Sequence, residues 1–291
     1  MDRVPVTFCE DVFGVLALMF EPPRMMRLSG PFGFAAESYA KNFHTSQAEV
    51  VDGSFEGILF IDSERPLLEY GRNIPKFRLR KSVAYKNFLR STPKINSKLA
   101  DQLEKYFKEP GILTLKFFSS SIDESWSELF LSWEGLNVVV ISCRFSKNLH
   151  QFLEKLLRRE RLMYLQQYWP EFGSRAVDLF LKFLQQKQFL KLSVLEMGQE
   201  VWDRFMKEED LGKFAGSRVD FVCHRGLSME IDESFEPLDR VAEEMMQFKK
   251  QNMLVSYNVD DLENWRRFGK DLYPSFLDSV PFAPAVRVTF L

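Results

Sequence analysis

Apolar and polar positions change their rhythm along this chain, and the rhythm predicts its elements. Near the start, Phe8, Val12, Val15, Leu16 and Phe20 recur at helical spacing until Pro22-Pro23 stops the run. A second short helix is expected from about Phe34 to Phe43. The pattern then turns to strands: Ala48–Val51 and Gly57–Ile61 flank Asp52-Gly53, a two-residue hairpin signal. Residues 63–98 are polar, basic and broken by Pro66, Pro75 and Pro93, so they read mostly as loop, with a short strand around Phe77–Leu79.

From there helices and strands alternate. Helices are expected at about 97–108, 126–133, 149–157, 177–184, 198–207 and 236–250, with a short one near 259–267. In the second of these, Trp126, Leu129, Phe130 and Trp133 fall at i, i+3, i+4 and i+7, one face of a helix. Strands are expected to begin near 112, 136, 162, 189, 220, 253 and 286, with spacings of about 24 to 33 residues. Such alternation builds parallel β/α units. A period of this size points to an α/β fold made of an irregular, leucine-rich-repeat-like stack behind a small helical N-terminal segment. An open doubly wound sheet is the competing arrangement. The expected division is a helical segment over 1–43 and a repeat-like binding domain over 44–291.

Composition narrows the class. With 291 residues and 45% apolar content the chain can bury a sizeable core, and 27% charged residues exclude a disordered chain. The net charge of −2 gives no global attraction to nucleic acid or to anionic membrane. Charge is nonetheless uneven. Residues 1–62 carry 4 basic and 9 acidic side chains, whereas residues 63–98 carry 10 basic and 2 acidic. Within that insert, Arg72, Lys76, Arg78, Arg80 and Lys81 form a candidate basic surface, read first as a solvated loop, next as a site for an acidic protein partner, and least of all as a site for phosphates or single-stranded nucleic acid. Three widely spaced cysteines form no disulfide framework, and no apolar run reaches the length of a membrane span. The expectation is a protein of the cytoplasm or nucleus with no membrane contact.

Chemistry-bearing motifs are sparse. Cys223 and His224 are adjacent, so in a strand their side chains would point to opposite faces. His44, His150 and His224 do not combine with Cys9, Cys143 and Cys223 into any zinc-ligand spacing. Ser29-Gly30-Pro31-Phe32-Gly33-Phe34 has two glycines but lacks the Lys-Ser/Thr of a phosphate-binding loop. No catalytic residue, metal or cofactor is therefore expected, and a binding role is.

The opening residues Met1-Asp2-Arg3-Val4-Pro5-Val6-Thr7-Phe8-Cys9-Glu10-Asp11-Val12 resemble the start of the nematode F-box and F-box-associated proteins, and Leu28-Ser29-Gly30 followed by Phe32–Ala36 is similar to their next segment. The resemblance rests on motif over about the first 40 residues and on length and β/α rhythm beyond them. It implies a substrate-recognition adaptor of an SCF-type ubiquitin ligase. Val4, Pro5, Phe8, Val12, Leu16 and Phe20 would then dock on a Skp-type linker protein, and the remaining chain would recruit an unknown protein target. Two features depart from the family: Pro22-Pro23 interrupts the helix early, and Phe32 or Phe34 stands where a tryptophan is usual. The alternative is a repeat scaffold with a degenerate F-box and no ligase connection, its N-terminal helices capping the first repeat.

Overall fold

A computed structural model describes residues 8, 12, 30–61, 77–89, 91–108, 112–168, 173–195, 202–204, 207, 210–223, 236–242, 245–250, 252–258 and 286–291. It divides into two compact units, residues 1–156 and 157–291. The architecture is α/β.

The first unit begins with α1 (Gly30–Asn42), which runs directly into β1 (Phe43–Val51) and β2 (Ser54–Ile61). Asp52 and Gly53 join these two antiparallel strands with φ of 50° and 81°. Positive φ at both central residues is the two-residue turn whose twist matches the strands it connects. β3 (Phe77–Lys86) pairs parallel to β1, followed by α2 (Ser97–Lys108), β4 (Ile112–Phe117), α3 (Glu124–Ser132), β5 (Leu136–Ile141) and α4 (Lys147–Arg159). The strand order is β2-β1-β3-β4-β5, and β3, β4 and β5 are mutually parallel neighbours. Each crossover therefore steps in the same direction along the sheet. A doubly wound sheet reverses that direction at a switch point, and this run contains no reversal.

Register converts the alternation of side chains into layers. Lys81, Val83 and Tyr85 of β3 stand opposite Leu113, Leu115 and Phe117 of β4. Tyr85, Phe117, Trp126, Phe130 and Phe152 are fully buried and make a continuous aromatic core. The Tyr85 and Trp126 rings lie 4.8 Å apart, Phe117 and Phe130 5.6 Å, and Phe117 and Phe152 5.4 Å. The two polar tips in this core are both satisfied: Tyr85 donates to the Ser121 carbonyl at 2.8 Å and Trp126 to the Pro93 carbonyl at 2.7 Å. Side chains close the helix starts. Asn96 Oδ1 accepts from Leu99 N, Asp123 Oδ1 from Trp126 N, and Ser146 Oγ from Leu149 N.

The basic segment is reassigned. The short strand expected around Phe77–Leu79 is present but continues through residues expected as loop, making a ten-residue strand over Phe77–Lys86 in the interior of the sheet. Lys81 is not part of a basic surface, because only 2% of it is exposed. It lies in the apolar row, and its ammonium donates to the carbonyls of Phe107 (2.8 Å) and Tyr106 (3.3 Å) at the end of α2. Those carbonyls have no partner within the helix and carry the negative end of its dipole, so a lysine can be buried there. Reading charge as a sign of exposure missed this compensation.

The second unit contains β6 (Tyr164–Gln167), α5 (Gly173–Leu184), β7 (Lys191–Leu195), a 3-10 turn at Leu211–Phe214, β8 (Arg218–Cys223), β9 (Glu236–Ala242), β10 (Met245–Lys250), β11 (Met253–Asn258) and β12 (Val286–Phe290). Its strand order is β6-β7-β8-β12-β11-β10-β9. β6, β7 and β8 are parallel, but from β8 onward every pairing is antiparallel. The series of parallel units expected from the spacing therefore stops at β8.

The helix expected over 236–250 is instead the hairpin β9–β10. β10 pairs on its other side with β11 across a two-residue connection, too short for a parallel crossover. Met246 and Phe248 alternate with Gln247 and Lys249, a period-two signal lying beneath the helical spacing of Leu238, Val241 and Met245. Pro237 falls on the outermost strand of this unit, where a residue without an N–H is tolerated. Of the helix expected at 198–207, residues 202–204 are described and helical; the one expected at 259–267 lies outside the described residues.

Gly53 carries two constraints at once. Its φ is 81°, and a Cβ built on it would lie 2.6 Å from Pro93 Cβ. Gly53→Ala is expected to lower stability by on the order of 1–3 kcal/mol. Urea unfolding checks this: the midpoint should fall while the slope stays unchanged.

Candidate recognition face

In the second unit, four strands bring polar side chains from distant stretches of sequence into two rows. Parallel and antiparallel register set Tyr164 beside Lys191, Lys191 beside Arg218, and Arg218 beside Thr289. Two residues further along, Gln166, Ser193, Asp220 and Arg287 line up in the same way. The intervening row, Leu165, Leu192, Val219 and Val288, points to the opposite side and is wholly buried. Apolar packing on one face thus fixes which side chains meet on the other.

Asp220 is the centre of the polar face. Its side chain is 3% exposed and takes three cations. Lys191 Nζ lies 2.9 Å from Oδ2, Arg218 Nη2 3.1 Å from Oδ2, and Arg287 Nε 3.1 Å from Oδ1. Lys191 Nζ also stands 4.8 Å from the centre of the Tyr164 ring. The Tyr164 hydroxyl donates to Gln166 Oε1 at 3.0 Å and lies 3.1 Å from Ser193 Oγ. Arg218 is nearly as buried as Asp220, whereas Lys191 and Arg287 keep 16% and 25% of their side chains exposed.

The electrostatics follow from burial and partners. Burial alone would raise the Asp220 carboxyl, but Lys191, Arg218 and Arg287 together outweigh it and hold the group below its ordinary value of 3.8. Burial pushes the Lys191 ammonium down, opposed mainly by Asp220, and it pushes the Arg218 guanidinium down in the same way. A carboxylate held ionised and saturated by three donors is poorly matched to proton transfer near neutral pH. Three ion pairs instead tie β7, β8 and β12 to one carboxylate.

The residues singled out from sequence fall elsewhere. Phe8 and Val12 are helical, and Phe8 is 55% exposed while Val12 is half-buried. Val4, Pro5, Leu16 and Phe20 lie outside the described residues, as do Arg72 and Lys76. Arg78 and Arg80 belong to the backbone of β3 beside Lys81. Cys143 is buried, and burial pushes its thiol up to about 12, so it is not a ready nucleophile. Among the described residues no group of histidines, cysteines and carboxylates could hold a metal ion, and no helix is long and apolar enough to cross a membrane.

Sequence reasoning missed the Asp220 cluster because its members are spread from Tyr164 to Arg287 and meet only through strand register. A local signal was present. Lys191, the pair Arg218 and Asp220, and Arg287 each interrupt a short apolar strand at alternate positions.

The Asp220 shift sets a pH dependence. A carboxyl whose folded pKa is depressed contributes stability that is present above its unfolded pKa and is lost as pH falls through the lower folded value. Stability should therefore drop below about pH 3.8, the ordinary value of the group. Asp220→Asn should remove this acid-sensitive component and cost roughly 3–5 kcal/mol at pH 7, because it strands buried cations. Urea titrations from pH 2 to 7 on both proteins check the sign and the window.

Comparison with known proteins supplies no relative: no protein-family model matches the chain, and no curated protein or solved structure does so.

Proposed function

We propose that this chain is a non-enzymatic protein-binding module, acting as a substrate-recognition adaptor of an SCF-type ubiquitin ligase. Its F-box-like segment, residues 1–43, docks on a Skp-type linker protein. An irregular, leucine-rich-repeat-like stack of β/α units presents the surface that takes the target. The observation carrying the reading is Phe8: a large aromatic on helical backbone, more than half exposed, within the segment whose residues resemble an F-box. An exposed apolar residue of that kind is what a partner helix or groove buries. The charged rows around Asp220 support a second, separate surface for the target.

A specific observation also favours the scaffold reading. Ala35 and Ala36 of α1 are buried within the chain itself, as expected if the N-terminal helices cap the stack. One experiment separates the two. Purified chain is titrated against purified Skp-type linker by surface plasmon resonance, with a Phe8→Ala/Val12→Ala variant alongside. The adaptor reading expects binding by the wild type and roughly tenfold or greater weakening by the variant. Absence of wild-type binding leaves the scaffold reading.

A further inference from the structure

We infer that the outer edge of β2, over Gly57–Ile61, pairs antiparallel with the same strand of a second copy of this chain. Among the described residues β1 is the only strand paired with β2, so the N–H and C=O groups along its other side have no strand to meet. Two large apolar side chains on β2 also stay open to solvent in the folded chain: Ile58 is 41% exposed and Leu59 45%. They belong to opposite faces of the sheet, Ile58 in the row of Ala48 and Leu59 in the row of Gln47. A strand added at this edge covers both faces at once and satisfies the backbone, whereas a helix or loop laid on one face does neither.

The chemistry of the edge selects the occupant. Strands that stay unpaired are guarded by charge, proline or a bulge. β9, the outermost strand of the second unit, is guarded in this way by Glu236, Pro237, Asp239 and Arg240. β2 has its bulge at Glu56, its one charged residue, where the register with β1 skips. Beyond that point Gly57 to Ile61 pair with β1 in unbroken register and contain neither charge nor proline. Joining this edge to β9 of another copy would set a residue without an N–H and three charged residues against it. Like edge to like edge has no such conflict, and a two-fold axis normal to the sheet closes the pair. That axis keeps each face of the sheet on its own side. Centred on Leu59, it sets Leu59 against Leu59, Ile58 against Phe60 and Gly57 against Ile61 of the second copy. The whole unguarded stretch is then its own complement, and no like charges are opposed.

The test is sedimentation velocity of the full chain over a concentration series. The expected result is a dimer that dissociates on dilution. Leu59→Lys and Leu59→Glu each place two like charges directly opposite one another and should sediment as monomers. An equimolar mixture of the two variants should regain the dimer, because the centred register sets lysine against glutamate. Phe88→Ser removes an exposed aromatic away from this edge and should leave the dimer intact. In case a Leu59 variant fails to fold, hydrogen exchange on the wild type gives a second measurement: the amides of 57–61 should exchange more slowly in concentrated than in dilute protein. A monomer at every concentration, mass that grows past the dimer, folded single variants that dimerise like wild type, a mixture that stays monomeric, a dimer lost with Phe88, or exchange unchanged by dilution would each overturn the inference. It stands apart from the adaptor reading, since linker capture is tested at Phe8 and Val12 and self-pairing at Leu59.

Discussion

Strand register is the constraint on which the structure depends. In the second unit, neighbouring strands align so that alternate residues fall into rows, one apolar and two polar rows that flank it. Leu165, Leu192, Val219 and Val288 form one such row, buried across four strands. A slip of one residue in any of these strands would turn its apolar side chains to the polar face and bury its charges. The hydrophobic face therefore positions Asp220 and its three cations, although it touches none of the chemistry. The polar face returns the favour: a carboxylate with donors from β7, β8 and β12 is met only in the native alignment. Replacing such a buried ionic group by apolar residues is often neutral or stabilising in other proteins, so its value here lies in specifying register and in presenting charge.

Lys81 shows how the same rule admits an exception. It occupies a position in the apolar row of β3, opposite Leu113, where a free charge would be costly. The end of α2 supplies two carbonyls within hydrogen-bonding distance, and the aliphatic stem fills the layer. The Tyr106 side chain of the same helix extends the polar contact, its hydroxyl 2.8 Å from Ser46 Oγ on β1. A helix terminus, a lysine and an edge-ward strand are thus tied together inside an otherwise aromatic core.

These two sites explain what the sequence could and could not disclose. Strong periodicity with clear boundaries was legible. The helix at Ser97–Lys108, the strand at Ile112–Phe117 and the strand at Val286–Phe290 lie where the pattern put them, and Asp52-Gly53 makes the hairpin its composition signals. Two kinds of segment were misread. Of residues 77–86 only Phe77–Leu79 was expected as strand; the charge of Arg80, Lys81 and Lys86 hid its continuation, where alternate residues Val83 and Tyr85 are fully buried. Residues 236–250 carry apolar residues that satisfy both helical and strand spacing; pairing with β11 decided between them, and that partner lies outside any local window. The candidate site was the least legible part, because no pair among Tyr164, Lys191, Arg218 and Arg287 is closer than 27 residues in sequence.

Where the parallel run ends also decides which side chain meets Asp220. β12 enters beside β8 from the far end of the chain and runs antiparallel to it. In an antiparallel pair, directly opposed residues face each other closely, and Arg287 is placed opposite Asp220 in this way. A further parallel strand from a regular repeat would have carried its own connecting helix and set its side chains by the period of the repeat. The antiparallel return instead delivers one arginine to one carboxylate, and leaves its guanidinium at the border between the buried cluster and solvent. The departure from a regular repeat is thus what brings the third cation of the cluster to Asp220.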